Sequence, residues 1–333
     1  MPLRIAILGA GNMGIALATV LAGSGHTVTL WSIEPDVVVD ITRNRRSEKY
    51  LPGITLDHRI TATGDLAAAL QNARGIIVAV PSSAIEQVAK RAALYVSKQV
   101  PVLSVAKGIA STSFRPLTDV VAAALGRARG SVVGLGGPAI ATEFSRGTPT
   151  AVVVAGRSAD TRFWRRALTR PTFHVEESRD LTGVSWAACL KNVYAIALGM
   201  CDGMRYAMNT KAILVTRALA EMAMVLRSAH AEPETVYGLA GVGDLVTTGF
   251  SPHGRNRRFG ELICSGTQCD IPAVLKTMTV EGINAVAVAH RWELRKRLRL
   301  PLLDLVWRVC HRGADPCAGL RRYFQVGENI MMK

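Results

Sequence analysis

Through the first half of the chain, short and nearly continuous apolar runs alternate with helix-length segments. The runs are RIAILG (4–9), HTVTLW (26–31), GIIVAV (75–80), PVLSV (101–105), SVVGLG (131–136) and TAVVVA (150–155). Strands apolar on both faces belong to a sheet covered on both sides, and intervening helices make it mostly parallel. The pattern therefore predicts a doubly wound α/β domain. From about Asp180 the periodicity becomes helical, with long segments at 180–200, 211–229 and 282–296 and no convincing strand. We place a boundary near Ser178, giving a first domain over residues 1–178 and an all-helical second domain over 179–333. A chain of 333 residues is long enough for two separate cores. It shows no repeat of solenoid period and no low-complexity segment.

One stretch of the second half, SWAACLKNVYAIALGM (185–200), is a run of small and apolar residues broken by a single charge, Lys191. It is short for a membrane span and too long for a strand, so it predicts a helix largely covered by protein. A buried ammonium without a partner costs several kcal/mol or has its pKa lowered. Lys191 is therefore either paired or used.

Composition narrows the class. Hydrophobic residues at 49% and charged residues at 20% describe an ordinary globular chain rather than a disordered one. The N-terminus, MPLRIAILGAGNMG, runs directly into a strand pattern with no charged leader or cleavage site, and no long uninterrupted apolar run follows. These features predict a cytoplasmic protein without stable membrane insertion. The six cysteines (Cys189, Cys201, Cys264, Cys269, Cys310, Cys317) form no C-x-x-C pair. They predict buried thiols, with neither disulfides nor a metal site. An excess of 40 Lys+Arg over 25 Asp+Glu gives a formal charge of +15, suited to nucleic acid, anionic lipid or small phosphorylated ligands. Much of it lies in dispersed clusters at 43–46, 162–166, 255–258 and 291–299, and aromatics are only 5%. With so little material for base stacking, nucleic acid is not the expected partner, and three of the clusters read as solvated surface. The cluster at 255–258 is the exception.

Gly9, Gly11 and Gly14 form G-x-G-x-x-G between the strand RIAIL and a helix beginning near Asn12. The first glycine permits the tight turn, the second lets a pyrophosphate approach the backbone, and the third lets helix and strand pack closely. The helix N-terminus then offers unpaired N–H groups to the phosphates. This makes the first domain a Rossmann-type dinucleotide-binding fold. Glu34 lies twenty residues after Gly14, where a carboxylate bonding a ribose 2′-OH is expected. That favours NAD over NADP; alternatively Glu34 is a surface residue starting a helix at Pro35.

With these residues in place, the chain resembles the NAD(P)-dependent sn-glycerol-3-phosphate dehydrogenases. The resemblance covers nearly the whole length: GAGNMG (9–14), KYLPG (49–53), AVPS (79–82), AKG (106–108), GGPAIATE (136–143), GTPTA (147–151), LKNVYAIALGMCDG (190–203), NTKA (209–212), GLAGVGDLVTT (238–248), GRNRRFG (254–260) and VEG (280–282). It implies interconversion of dihydroxyacetone phosphate and sn-glycerol 3-phosphate, supplying glycerol 3-phosphate for glycerophospholipid synthesis, in a cytoplasmic homodimer joined through the helical domain. It also implies roles for individual residues. Lys191 moves the proton to or from the substrate C2 oxygen, its pKa brought toward neutrality by apolar surroundings and nearby positive groups. Lys107 positions the substrate and polarises its carbonyl. Asp244 contacts Lys191 and the substrate hydroxyls, or is simply a helix N-cap. Asn192 and Thr248 either bond near the substrate or are satisfied core polars. Arg255 and Asn256 clamp the phosphate, the guanidinium by a bidentate fork, while Arg257 and Arg258 face solvent. Gly137, Ala139 and Gly254 complete the substrate site. The cofactor set is Gly9, Gly11, Asn12, Met13, Gly14, Glu34, Lys107, Ala141, Arg255 and Glu281, the last being otherwise a surface glutamate capping a helix.

The chain departs from the family pattern in four places. Met13 stands where many bacterial members carry an aromatic residue. No basic residue lies near Ile33, which again leans toward NAD. Gly136-Gly137-Pro138-Ala139 replaces S-G-P-S, losing two hydroxyls, and 204–209 reads MRYAMN where G-x-G-x-N is usual. A related two-domain β-hydroxyacid-type dehydrogenase, or a catalytically inactive nicotinamide-binding regulator, are the alternative readings.

Overall fold

The apolar runs form one eight-stranded sheet because both of its faces are covered. The computed structural model describes residues 1–266 and 271–326. Its strands are β1 (Arg4–Leu8), β2 (Thr27–Trp31), β3 (Ile60–Thr63), β4 (Gly75–Val78), β5 (Val102–Ser104), β6 (Val132–Gly136), β7 (Thr150–Ala155) and β8 (Phe173–Ser178), in the order β3-β2-β1-β4-β5-β6-β7-β8. All neighbours pair in parallel except β6 and β7, which run antiparallel. Alternate residues of the central strands enter opposite cores. Ile5, Ile7, Ile77, Leu103 and Val133 join the buried face of the Asn12–Gly23 helix and Trp164 on one side. Ala6, Leu8, Ile76, Val78, Val102 and Val132 meet Val88, Ala89, Val121 and Ala122 on the other.

Six strands lie where the apolar runs place them, and two were not anticipated. β3 and β8 sit at the sheet edges, where one face or one end is wet. In β8, FHVEES, residues 173–176 alternate buried and exposed, and β3 buries only Ile60. Neither is the continuous apolar run that marks an interior strand.

By its contacts the chain divides into two units: Met1–Lys107 with Arg115–Leu181, and Gly108–Phe114 with the segment from Thr182 onward. The short segment 108–114 carried no sequence signal for this. Its Phe114 ring packs at a tilt against Trp292, with centroids 5.3 Å apart, and Trp292 packs likewise against Trp186. Among the described residues the second unit holds helices and no strand. Its central helix, Leu181–Gly203, is buried continuously from Gly183 to Cys201. That helix is long and apolar enough to cross a membrane, yet its most apolar window is wholly covered by protein.

A buried carboxylate organises the far end of this unit. Glu221, on the Met208–Ser228 helix, accepts the backbone N–H groups of Leu302 and Leu303 at 2.6 and 3.0 Å, capping the Pro301–Arg312 helix from outside. The Tyr194 hydroxyl donates to it at 3.0 Å. Burial pushes the carboxyl up to about 7, against these three hydrogen bonds and with the help of Glu293. Because the folded value lies above the unfolded one near 4.5, the stabilisation is fully present below about pH 4.5 and is lost as pH rises through about 7. We expect this group alone to remove about 3 kcal/mol of stability between those limits. Urea unfolding of the wild type and Glu221→Gln across pH 5 to 8 checks it: the wild-type curve should fall with pH and the variant's should be flatter by that amount.

Candidate active site

The end of β1 shows why the glycine turn is built as it is. Gly9 adopts φ +118°, and a Cβ there would sit 2.6 Å from the Ala79 carbonyl oxygen beyond β4. A Cβ on Gly14 would collide with the Gly9 carbonyl oxygen. Both glycines are therefore required by the protein's own packing. Gly11 differs: a Cβ there would meet nothing within 4 Å. The fold leaves open the space that a pyrophosphate would take. Gly11 is also the N-cap of the Asn12–Gly23 helix and offers no side-chain acceptor to its first-turn N–H groups. β1 and β4 adjoin in the sheet, and the chain departs in opposite directions on either side of them, the place where open α/β sheets bind ligands. The residues fit a dinucleotide.

Around this turn, Asn12 and Met13 open the helix, and Met13 packs against the core beneath it together with Ala139 and Ala141. Lys107, past the end of β5, donates to the Gly137 carbonyl at 3.1 Å, and Gly137 takes φ +104°. Glu34 is the N-cap of the Pro35–Asn44 helix, yet its side chain makes no capping bond. Its carboxylate instead accepts from Lys49 Nζ and from the Tyr50 hydroxyl, each at 2.8 Å. These two donors hold the carboxyl below its usual range.

In the helical unit, Lys191 is buried, with only 9% of its side chain exposed. Its Nζ lies 2.7 Å from Asp244 Oδ1 and donates to Thr248 Oγ1 at 2.8 Å. The contact with Asp244 is the one the resemblance implied, and the carboxylate compensates the charge of the ammonium where water cannot. Asp244 reaches this position because a π-helical turn, Leu239–Gly243, runs straight into the Asp244–Phe250 helix. Such wide turns recur where a helix must offer a side chain out of its regular phase. The N-cap there is Gly243, so Asp244 is not capping its own helix through that position.

Asn192 and Asn256 belong to one buried relay. Asn192 Nδ2 donates to the Ala188 carbonyl at 3.4 Å; Asn256 Nδ2 donates to Asn192 Oδ1 at 2.9 Å; the Gly282 N–H donates to Asn256 Oδ1 at 2.9 Å. A carboxamide nitrogen carries two N–H groups, and the bond to Asn192 uses one of those on Asn256. Gly254 is the N-cap of the Arg255–Ser265 helix, again without a side-chain acceptor. A Cβ there would strike the Thr248 carbonyl oxygen, so glycine lets this helix start beside Thr248. Arg255 is exposed and lies 3.8 Å from Glu281 Oε1. Glu281 stands in the first turn of the Glu281–Lys296 helix, whose N-cap, Val280, makes no side-chain bond.

Arg257 corrects the sequence reading. It does not face solvent: its Nε lies 2.7 Å from Asp202 Oδ2 and its guanidinium donates to Glu261 at 2.9 Å. Asp202 also accepts from Lys211 at 2.7 Å, so the cluster ties together three helices. Helical spacing puts Arg257 and Glu261 four apart, a signal that was available, whereas Asp202 is far away in sequence. Arg258 is exposed. Lys49 and Tyr50, within KYLPG, and Lys211, within NTKA, are engaged residues to which the sequence alone attached no role. Cys189, Cys201 and Cys264 are buried thiols, Cys310 and Cys317 are half-buried, and Cys269 lies outside the described residues. Among the described residues no group of three metal-ligating side chains converges.

Comparison with known proteins gives two family matches in tandem. Residues 4–162 match the NAD-dependent glycerol-3-phosphate dehydrogenase N-terminus and residues 180–321 its C-terminus. The chain is 38% identical over 322 residues to a glycerol-3-phosphate dehydrogenase (NAD(P)+) of Anaeromyxobacter sp. (strain K), covering 94% of this chain and 95% of the relative. It is 39% identical over 306 residues to the like-named protein of Halorhodospira halophila, covering 92% and 91%. The crystal structure of glycerol-3-phosphate dehydrogenase from Coxiella burnetii superposes with a TM-score of 0.89 at 34% identity, over 97% of this chain and 99% of that one.

Proposed function

The chain belongs to the NAD-dependent glycerol-3-phosphate dehydrogenase family, and on that premise we propose that Lys191 performs the proton transfer of its reaction. The enzyme interconverts dihydroxyacetone phosphate and sn-glycerol 3-phosphate with NAD(P)H. When bound, the nicotinamide exchanges a hydride with the substrate C2 carbon. A proton must move with it, to or from the C2 oxygen. Lys191 suits that transfer in both senses, as an ammonium donor in the reductive direction and an amine acceptor in the oxidative one. Its pairing with Asp244 and Thr248 is the observation that carries the reading. A lysine kept for packing alone would snorkel to water; this one is aimed by the buried Asp244 carboxylate and the half-buried Thr248 hydroxyl.

The other assignments rest on smaller observations. Arg255 and Asn256 begin an uncapped helix, where a phosphate meets a guanidinium fork, an amide and the positive end of the helix dipole. Asn192 acts by orienting the Asn256 amide. Lys107, anchored to the Gly137 carbonyl, positions the substrate and polarises its carbonyl, with Ala139 and Gly254 leaving room. Gly9, Gly11, Asn12, Met13 and Gly14 cradle the pyrophosphate, Glu34 takes the adenosine ribose, and Ala141, Arg255 and Glu281 complete the cofactor set. The reading extends to a cytoplasmic homodimer without stable membrane insertion that feeds glycerophospholipid synthesis; the complete cover over its most apolar helix supports the absence of insertion.

The test is direct. Purified protein should oxidise NADH on addition of dihydroxyacetone phosphate, with stoichiometric appearance of sn-glycerol 3-phosphate. Binding of both ligands without turnover would sink the reading.

A further inference from the structure

A solitary carboxylate at the end of the second strand of a dinucleotide-binding sheet accepts the ribose hydroxyls and repels a 2′-phosphate. Glu34 is not solitary. Its Oε2 lies 2.8 Å from the Lys49 ammonium, and Asp36 Oδ2 lies 3.8 Å from the same nitrogen. Its Oε1 accepts from the Tyr50 hydroxyl at 2.8 Å. Its backbone N–H donates to the Ser32 hydroxyl at 3.1 Å.

These contacts divide into fixed and movable ones. Tyr50 is partly buried and packs against the core, and Ser32 is buried, so both hold Glu34 in place. The Lys49 side chain is 52% exposed, on a flexible stem with three donors. It can leave Glu34 without disturbing the fold, while Tyr50 keeps the carboxylate oriented. The nearby Arg46 is instead engaged with Asp40 at 3.3 Å.

We propose that Lys49 is a coenzyme-specificity residue: it neutralises Glu34 and supplies the cation for an adenosine ribose 2′-phosphate, so that one site accepts both NADH and NADPH. With NADH, the Lys49–Glu34 pair stays closed and Glu34 accepts a ribose hydroxyl on a remaining lone pair. With NADPH, the ammonium turns from Glu34 to the phosphate, and the hydroxyl of Tyr50 remains on the carboxylate. The proposal rests on the assignment of Glu34 to the adenosine ribose made above.

Equilibrium titration calorimetry with NADH, NADPH and the fragments ADP and 2′,5′-ADP tests it without reference to turnover. Lys49→Ala should weaken NADPH and 2′,5′-ADP about tenfold, as expected of one charge-assisted contact at a half-exposed site, with NADH and ADP nearly unchanged. Lys49→Arg should retain NADPH binding, and Glu34→Gln should strengthen it. An equal loss for all four ligands in Lys49→Ala, or no loss for any, overturns the proposal. So does a wild-type protein that binds NADH and ADP but neither of the 2′-phosphorylated ligands. Those results leave the ribose assignment standing; failure of the wild type to bind any of the four would remove that assignment and the proposal together.

Discussion

Lys191→Met is expected to lower turnover of dihydroxyacetone phosphate about a thousandfold, within the range for loss of a positioned acid–base group, with NADH affinity unchanged. Methionine keeps the length and bulk of the side chain and removes only the ammonium, so the covering helices need not rearrange. The substitution also leaves Asp244 buried beside an apolar group. Breaking one side of a buried ion pair costs about 3–5 kcal/mol, so the variant should unfold at lower denaturant as well. The two effects separate in the double variant Lys191→Met/Asp244→Asn, which removes the orphaned charge. Stability should recover there and turnover should not. Initial rates of NADH oxidation together with urea midpoints for both proteins make the distinction.

Arg255→Ala is expected to reduce kcat/KM for dihydroxyacetone phosphate about a hundredfold, mostly through KM, because a bidentate charge-assisted contact to phosphate is lost from ground state and transition state alike. The side chain is exposed and its ion-pair contact to Glu281 is long at 3.8 Å, so little stability should go with it. The informative control is the unphosphorylated ketone. Dihydroxyacetone has no phosphate for the guanidinium to hold, and at saturating NADH, where any loss of cofactor contact is masked, the variant should reduce it as slowly as the wild type does. A variant that lost activity equally on both ketones at saturating NADH would show that Arg255 does not hold the substrate phosphate.

Much of this molecule was legible from the order of its residues, for reasons that differ from place to place. The six interior strands show as nearly continuous apolar runs because most of both their faces is buried. The edge strands β3 and β8 escape notice because half of each faces water, and their threonines and glutamates read as loop. Nothing local shows that β7 runs antiparallel to β6, since its direction is set by the end of the sheet from which the chain re-enters. Leu181–Gly203 announced itself as a covered helix with one charge, and the question posed by that charge has an answer in Asp244, a residue 53 positions away. The glycine turn was legible, and the structure adds that packing requires Gly9 and Gly14 while the space beside Gly11 stays open. Arg257 was misread, because a run of four cationic and amide residues looks solvated until Asp202 is brought against it by another helix. Glu221 gave no sign at all: an acidic residue on a helical period looks like surface, and only the arrival of the Leu302 and Leu303 amides explains its burial. In general, what depends on a residue's own face is readable, and what depends on a distant partner is not.

Chemical rescue tests most directly whether Lys191 is the source of the proton. In Lys191→Ala, a small primary alkylamine added to the assay should restore NADH oxidation in proportion to its concentration, with larger recovery from amines that fit the vacated space and none from a quaternary ammonium salt. A Lys191→Ala enzyme that turns over at the wild-type rate with no amine present would contradict that role.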